Sequence, residues 1–180
     1  MTRVVLSVGS NLGDRLAWLQ TVVDRAGTTV RAVSPVYETD PWGDLEQSPF
    51  LNAVLIAEDP ARDGHDWLRF GQESERAADR VRGRRWGPRT LDVDLVACYQ
   101  TTAAGSAGTE VISTTADLTL PHPLAHLRAF VLVPWLAVDP DAELTVAGQR
   151  RPVVELLTEL EPIERAGVRP TAATLNPHRR

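Results

Sequence analysis

Two aspartates near the middle of the chain have the types and the spacing to hold a metal ion. Asp92 and Asp94 alternate with the apolar residues Leu91, Val93 and Leu95, and this period of two predicts a β-strand with one face buried. Residues i and i+2 of a strand project from the same face, so the two carboxylates would repel each other unless a cation lies between them. Mg²⁺ is commonly held by one or two carboxylates together with substrate phosphates. The alternative is that both aspartates lie on the solvated face of an edge strand, which is common for an isolated Asp-x-Asp.

The segment before this strand is rich in arginine, which binds phosphate through its planar fork of N–H donors. Any single arginine could lie on a solvated surface, but a group of them beside two aspartates favours a clamp for an anion. The turn residues Gly83, Gly87 and Pro88 predict a loop, which we expect to be mobile without ligand and to close on phosphates. The six arginines are Arg76, Arg80, Arg82, Arg84, Arg85 and Arg89.

The composition excludes several classes of protein. The 180 residues contain no lysine, because all 19 basic residues are arginines, and this excludes a P-loop lysine or a protein-kinase lysine. The net charge of −5 argues against a nucleic-acid binder held by bulk charge. The single cysteine, Cys98, cannot form an internal disulfide and favours a reducing cytoplasm. The apolar run Val4–Val8 is too short for a signal peptide or a membrane span.

Three motifs together resemble one enzyme family. The run RWGPRTLDVDL at residues 85–95 resembles the signature of the 6-hydroxymethyl-7,8-dihydropterin pyrophosphokinases of folate biosynthesis. A strand running into GSNLG at residues 9–13 is similar to the beginning of those chains, although by itself this turn could cradle a phosphate or simply join a strand to a helix. The third motif is Pro-His followed by an arginine and a phenylalanine, at His122, Arg128 and Phe130. Phe50, Asp117 and Pro123 depart from the commonest pattern.

The order of predicted elements is strand-helix-strand-strand-helix-strand, which is typical of an α+β protein with a ferredoxin-like core and a predominantly antiparallel sheet. The resemblance, which covers about residues 3–160, implies helices on both faces of the sheet in a three-layer α/β/α arrangement. Residues 29–39 are predicted as one strand, and a helix over residues 124–133 is expected to end at Pro134. We expect one domain over residues 1–163, a loosely attached polar tail over residues 164–180, and a monomer.

The resemblance also implies a reaction and a site. ATP would give its β,γ-diphosphate to the hydroxymethyl group of the dihydropterin and leave as AMP, with two Mg²⁺ ions held by Asp92 and Asp94. Arg80 and Arg89 would be catalytic with these aspartates. The implied ATP contacts are Gln72, Arg82, Trp86, Leu95, His122 and Arg128. The implied pterin contacts are Gly9, Thr39, Asp40, Trp42, Phe50, Asn52 and Phe130.

The residues themselves leave other interpretations open. A charged helix face is usually solvated, which would explain Gln72, and Trp42 could simply pack on its own loop. Two rival functions remain at this stage. One is a non-catalytic binding module on a ferredoxin-like scaffold, for RNA or a regulatory ligand, which would not explain two aspartates on one strand. The other is a metal-dependent phosphotransferase or phosphohydrolase with a different acceptor.

Overall fold

The computed structural model describes residues 1–43, 46–78, 89–105 and 108–177. In these ranges seven strands form an antiparallel sheet in the order β11-β3-β4-β1-β5-β6, with β2 also paired to β4. The helices are α1 (Arg15–Ala26), α2 (Gly64–Ala77), α3 (Ala129–Val138), α4 (Val153–Glu159) and α5 (Pro162–Ala166). The strands are β1 (Thr2–Ser10), β2 (Val30–Val33), β3 (Tyr37–Thr39), β4 (Phe50–Asp59), β5 (Asp92–Gln100), β6 (Thr109–Glu110), β7 (Ser113–Thr114), β8 (Thr119–Leu120), β9 (Glu143–Val146), β10 (Gln149–Pro152) and β11 (Val168–Pro170).

The register of the central strands brings three distant parts of the chain to one edge of the sheet. Gly9, near the end of β1, lies opposite Asn52 at the start of β4 and opposite Asp92 at the start of β5. β1 and β4 are long apolar runs, and β5 begins with alternating acidic and apolar residues, so burial of the apolar side chains favours this register. Residues that follow β1 and precede β4 and β5 therefore meet at the same place.

Each face of the sheet is covered by its own pair of helices. On one face, β1 residues such as Leu6 pack with Leu19 of α1 and Trp67 of α2. On the other face, Val5 of β1 packs in a second cluster with Trp135 of α3, and α4 contributes Leu156. The ferredoxin-like α+β arrangement with helices on both faces is confirmed.

Two predicted elements differ in the structure. Residues 29–39 form two short strands, because Pro35 interrupts the pairing and the backbone N–H and hydroxyl of Ser34 bond to Val54 instead. The helix predicted over residues 124–133 begins only at Ala129, after a 3₁₀ turn at Ala125–Leu127, and runs past Pro134 to Val138. Proline removes one backbone hydrogen bond from a helix interior, but α3 is almost wholly apolar and buried against the sheet, and this burial outweighs the loss.

The expectation of a loosely attached tail after residue 163 is wrong. Strand β11 pairs with β3, with Val168 opposite Thr39, and Leu175 is buried in the core beside α1. Asn176 makes two backbone hydrogen bonds with the side-chain amide of Gln20, each 2.9 Å long. A three-residue strand without alternation has no periodic signal, so the sequence pattern could not reveal this docking. Within the described ranges, the structure has no helix of the length and apolarity needed to span a membrane.

Candidate active site

Strand β5 presents its two aspartates on one face, as the alternation predicts. Leu91, Val93 and Leu95 are buried on the opposite side, whereas the side chains of Asp92 and Asp94 are 23% and 25% exposed. Both carboxylates are therefore partly shielded from water and do not lie on a fully solvated surface. Partial shielding strengthens their interactions with nearby charges.

Each carboxylate has its own cationic partner. Arg89 Nη1 donates to Asp92 Oδ1, and Arg128 Nη1 donates to Asp94 Oδ2 at 3.1 Å. His122 Nε2 lies 3.9 Å from Asp94 Oδ1. Three of the residues that the resemblance implied for phosphate contact, Arg89, His122 and Arg128, thus lie beside the acidic strand.

Burial and charge shift the protonation equilibria of this group. Burial, reinforced by the negative charge of Asp92, raises the pKa of Asp94 to about 7, although Arg128 opposes the shift. Burial and the neighbouring Arg128 charge lower the pKa of His122 to about 4, so this imidazole is neutral near neutral pH. Without a bound cation, the Asp94 carboxyl is therefore only partly ionised near neutral pH.

We expect the raised pKa of Asp94 to reduce stability as pH rises in metal-free protein. Between about pH 4 and pH 7 the folded state binds the Asp94 proton and the unfolded state does not, so the free energy of unfolding falls with pH, by at most about 1.4 kcal/mol per pH unit. His122 acts in the opposite direction, because its lowered pKa makes stability rise between about pH 4 and its ordinary value near 6.5.

A comparison of wild type with Asp94→Asn isolates the carboxyl group. In urea unfolding with EDTA, the variant should gain stability relative to wild type as pH increases from 4 to 7. A difference that does not change with pH would contradict the pKa of Asp94.

The donor set at this edge fits Mg²⁺. Among the described residues there is no cluster of three or more histidine, cysteine, aspartate or glutamate side chains that could enclose a metal. Two adjacent carboxylates with an incomplete set of protein ligands suit Mg²⁺, which keeps water and substrate phosphates in its coordination shell. The residues that would hold it are Asp92 and Asp94.

A pocket lined by aromatic residues opens directly beside Asp92. Arg128 lies between the acidic strand and the aromatic side of this pocket. Its guanidinium, which donates to Asp94, also lies 5.0 Å from the ring centroid of Trp42 and 5.5 Å from that of Phe130. Flat aromatic ligands stack well on such rings, so the pocket can hold a planar molecule next to the carboxylates. Its lining residues are Thr39, Asp40, Trp42, Gln47, Phe50, Asn52, Arg89, Asp92, Arg128 and Phe130.

The polar floor of the pocket is held by Asn52 and Gly9. Asn52 is buried, and its Nδ2 donates to Thr39 Oγ1 at 2.6 Å. A Cβ atom on Gly9 would overlap Asn52 Oδ1, would lie 3.3 Å from its Cγ, and would lie 3.5 Å from a ring carbon of Phe50. Glycine at position 9 therefore keeps room for the side chain of Asn52.

Gly9→Ala is expected to displace Asn52 and to weaken binding of a planar ligand by about tenfold, because buried polar groups lose well-placed partners when they shift. The effect should appear in the ligand Kd with little change in melting temperature. Ligand titration and thermal unfolding measure both quantities.

The sequence-based prediction missed one positioning residue, Asn11. Asn11 Oδ1 accepts from the Arg89 backbone N–H at 2.7 Å, while its Nδ2 donates to Gln47 Oε1 at 2.9 Å and to the Ser48 backbone oxygen at 3.0 Å. Asn11 thereby joins the segment before β4 to the segment before the acidic strand, and its sequence signal was its place in GSNLG. Glu75 of α2, which the resemblance implied to be a neighbour of the site, accepts the backbone N–H of Val93, between the two aspartates, at 2.9 Å.

The structure brings together most, but not all, of the predicted site residues. Leu95 is 7% exposed within the core, so a contact with ATP would use its backbone. Gln72 lies exposed on α2. Arg80, Arg82 and Trp86 lie outside the described residues, and their assignment stays a prediction.

The ferredoxin-like sheet, the acidic strand edge and the adjoining aromatic pocket together fit a transferase of the kinase class. The family comparison is more specific. The chain belongs to the 7,8-dihydro-6-hydroxymethylpterin-pyrophosphokinase (HPPK) family, whose model matches residues 5–140.

Curated relatives agree with this assignment. A 2-amino-4-hydroxy-6-hydroxymethyldihydropteridine pyrophosphokinase of Mycobacterium tuberculosis H37Rv is 67% identical over 169 residues, which cover 94% of this chain and 89% of that protein. The enzyme of the same name from Mycobacterium leprae is 66% identical over 175 residues, with coverages of 97% and 92%. The chain is therefore a pyrophosphokinase enzyme of folate biosynthesis.

Solved structures support the fold. The crystal structure of wild-type Plasmodium falciparum HPPK-DHPS with SDX-DHP aligns with a TM-score of 0.57 at 12% identity, covering 88% of this chain and 44% of that chain. A structure described as HPPK-DHPS in complex with substrates aligns with a TM-score of 0.62 at 12% identity, covering 87% and 43%. This chain thus spans less than half of the length of those proteins.

Proposed function

We propose that this protein transfers the β,γ-diphosphate of ATP to the hydroxymethyl oxygen of 6-hydroxymethyl-7,8-dihydropterin in an Mg²⁺-dependent reaction that releases AMP. The observation that carries the proposal is a shared cavity. Phe50, Asn52 and Phe130 line the same pocket as Arg89 and Asp92, so a planar ring and a phosphate group can be bound side by side.

The pterin side of the pocket offers stacking and one directed polar group. Phe50 and Phe130 supply apolar ring surfaces, which suit a flat heterocycle. The Nδ2 of Asn52 is already bonded to Thr39, so its Oδ1 acceptor is the group suited to an N–H at the pterin edge. Ring contacts together with one fixed acceptor would orient the hydroxymethyl group towards β5.

The phosphate side carries the charges that group transfer needs. In the transfer, the hydroxymethyl oxygen forms a bond to the β-phosphorus, the bond from that phosphorus to the bridging α,β-oxygen breaks, and the hydroxyl proton is lost. Asp92 and Asp94 would hold two Mg²⁺ ions, which neutralise phosphate charge and lower the pKa of the attacking hydroxyl. Arg89, next to Asp92, is suited to stabilise charge on the moving diphosphate.

His122 and Arg128 complete the polar wall near Asp94. Because the pKa of His122 is lowered to about 4 by burial and by Arg128, the imidazole would act as a neutral hydrogen-bond donor to a phosphate oxygen. The arginine loop with Arg80, Arg82 and Trp86 lies outside the described residues, and its closure over ATP is proposed from the resemblance alone. A monomer in the cytoplasm stays a prediction, which sedimentation and cell fractionation would test.

An assay with ATP, Mg²⁺ and 6-hydroxymethyl-7,8-dihydropterin tests the proposal directly. The expected products are AMP and the pterin diphosphate in equal amounts, with no turnover in EDTA. Formation of ADP would indicate transfer of a single phosphoryl group and would contradict the proposal. Mg²⁺-dependent binding of ATP without turnover would instead favour a binding module.

A further inference from the structure

The C-terminal segment of residues 162–177 lies beyond the part of the chain matched to the family, which ends at residue 140. Its strand β11 pairs with β3, with Val168 opposite Thr39 and Arg169 opposite Glu38. On its other side β3 pairs with β4, with Thr39 opposite Phe50. A three-residue strand at a sheet edge would be weakly held, so β11 makes β3 an inner strand and fixes the position of Thr39.

Asp40, the first residue after β3, is held by two bonds from this segment. Its backbone N–H donates to the oxygen of Gly167 at 3.0 Å, and its Oδ1 accepts from Arg169 Nη1 at 2.9 Å. A Cβ at Gly167 would lie 3.1 Å from Asp40 Oδ2, so the close approach favours glycine there. The first residue after β3 is thus held from outside the part of the chain that the family model matches.

Arg169 is also connected to Pro49, the residue before β4, through Glu38 and Arg15. Glu38 lies between two arginines, with its Oε1 3.8 Å from Arg169 Nη2 and its Oε2 3.3 Å from Arg15 Nη1. Arg15 also donates to the backbone oxygen of Pro49 at 2.9 Å. The side chains are between 31% and 61% exposed, so each pair adds little to stability. Their main consequence is the position of Asp40 after β3 and of Pro49 before β4.

The segment has an anchor that does not depend on Arg169. Thr171 Oγ1 donates to the Val36 oxygen at 2.7 Å, Leu175 is buried in the core, and Asn176 bonds to Gln20. Removing the Arg169 side chain should therefore leave the segment docked. A change in ligand binding caused by this substitution can therefore be distinguished from unfolding of the segment.

The segment also backs the aromatic side of the pterin pocket. Ile163, Glu164, Gly167 and Val168 line a second cavity whose other wall contains Trp42 and Phe130. Both aromatic residues also line the pocket beside Asp92. A substitution in the segment would therefore affect the residues that contact the pterin more than those that contact the phosphates.

We propose that Arg169 and the backbone of Gly167 are positioning residues for the pterin. They hold Asp40 and Thr39, and Thr39 in turn holds the buried Asn52 through its 2.6 Å hydrogen bond. The inference rests on the proposed function. It assigns to Arg169 an effect on pterin affinity rather than on the transfer step, because its ion-pair partners Glu38 and Asp40 lie on β3 and directly after it, and not on the acidic strand.

Arg169→Ala, Arg169→Lys and the matched control Arg151→Ala test the proposal. Arg151 is also partly exposed and paired with a carboxylate, Glu159 of α4, away from the site. Arg169→Ala should raise the pterin Kd roughly threefold to tenfold, while kcat at saturating substrate and the ATP Kd stay within about twofold. Arg169→Lys should recover most of the pterin affinity, and Arg151→Ala should change none of these quantities.

Three results would overturn the proposal. Unchanged pterin affinity in Arg169→Ala would remove the positioning effect. Equal losses of pterin and ATP affinity with a lower melting temperature would give the segment a structural role only. The same shift in Arg151→Ala would make it a general effect of surface charge. The proposed function itself is tested separately by the wild-type protein. Wild type that binds ATP but not the pterin would contradict that function, whatever the variants show.

Discussion

Asp92→Asn and Asp94→Asn are each expected to lower kcat by about a thousandfold while the protein stays folded. The two carboxylates share one face of β5 and are the described residues that fit Mg²⁺ there, so an amide at either position removes a negatively charged ligand. Asparagine has almost the same shape as aspartate, so the packing of Leu91, Val93 and Leu95 behind them is retained. Asp94→Asn should even stabilise metal-free protein above pH 7, because burial and the Asp92 charge raise the pKa of the Asp94 carboxyl.

Steady-state kinetics over a range of Mg²⁺ concentrations, together with thermal unfolding, would measure both effects. Asp24→Asn is a matched control, since Asp24 lies exposed on α1 and accepts from Gln20 Nε2. It should leave kcat unchanged. If either active-site variant retained near-normal turnover in Mg²⁺, the assignment of these carboxylates as metal ligands would be wrong.

The central strands could be predicted because burial imposes a pattern on the sequence. Strand β5 alternates apolar and acidic residues, and β1 and β4 are long apolar runs, so their register follows from which side chains enter the core. Strands β3 and β11 could not be predicted as a pair. Each has three residues, and their pairing joins Thr39 to Val168 across most of the chain. Short strands are set by tertiary contacts rather than by propensity.

Some residues of the candidate site could likewise be predicted from the sequence, and others could not. Asp92, Asp94 and the arginines were recognisable because the chemistry depends on residues that are neighbours in sequence. Asn11 and Arg169 were missed because each acts on a residue far along the chain, Arg89 and Asp40 respectively, at separations of 78 and 129 residues. The pterin contacts came from the family resemblance, since no local pattern distinguishes Phe50 or Phe130 from core residues.

Arg89→Ala is expected to slow the transfer step by about a hundredfold and to change the ATP Kd by much less. Asn11 fixes the Arg89 backbone through two hydrogen bonds, of 2.7 Å and 3.0 Å, and the side chain donates to Asp92. The guanidinium is thus held where charge would develop on the diphosphate, and the loss of one such donor typically costs a few kcal/mol in the transition state. An interaction that strengthens only in the transition state lowers the barrier without tightening ground-state binding.

Single-turnover kinetics beside an equilibrium titration of ATP would separate these two quantities. Arg89→Lys should recover part of the rate, because it keeps the charge but not the planar fork. Arg25→Ala is the control, since Arg25 lies on α1 and is 40% exposed beside Glu73. A titration with Mg²⁺ excludes loss of the metal as the cause: removing a positive charge next to Asp92 should leave Mg²⁺ affinity equal or higher. Equal losses of rate and ATP affinity would instead make Arg89 a ground-state phosphate clamp.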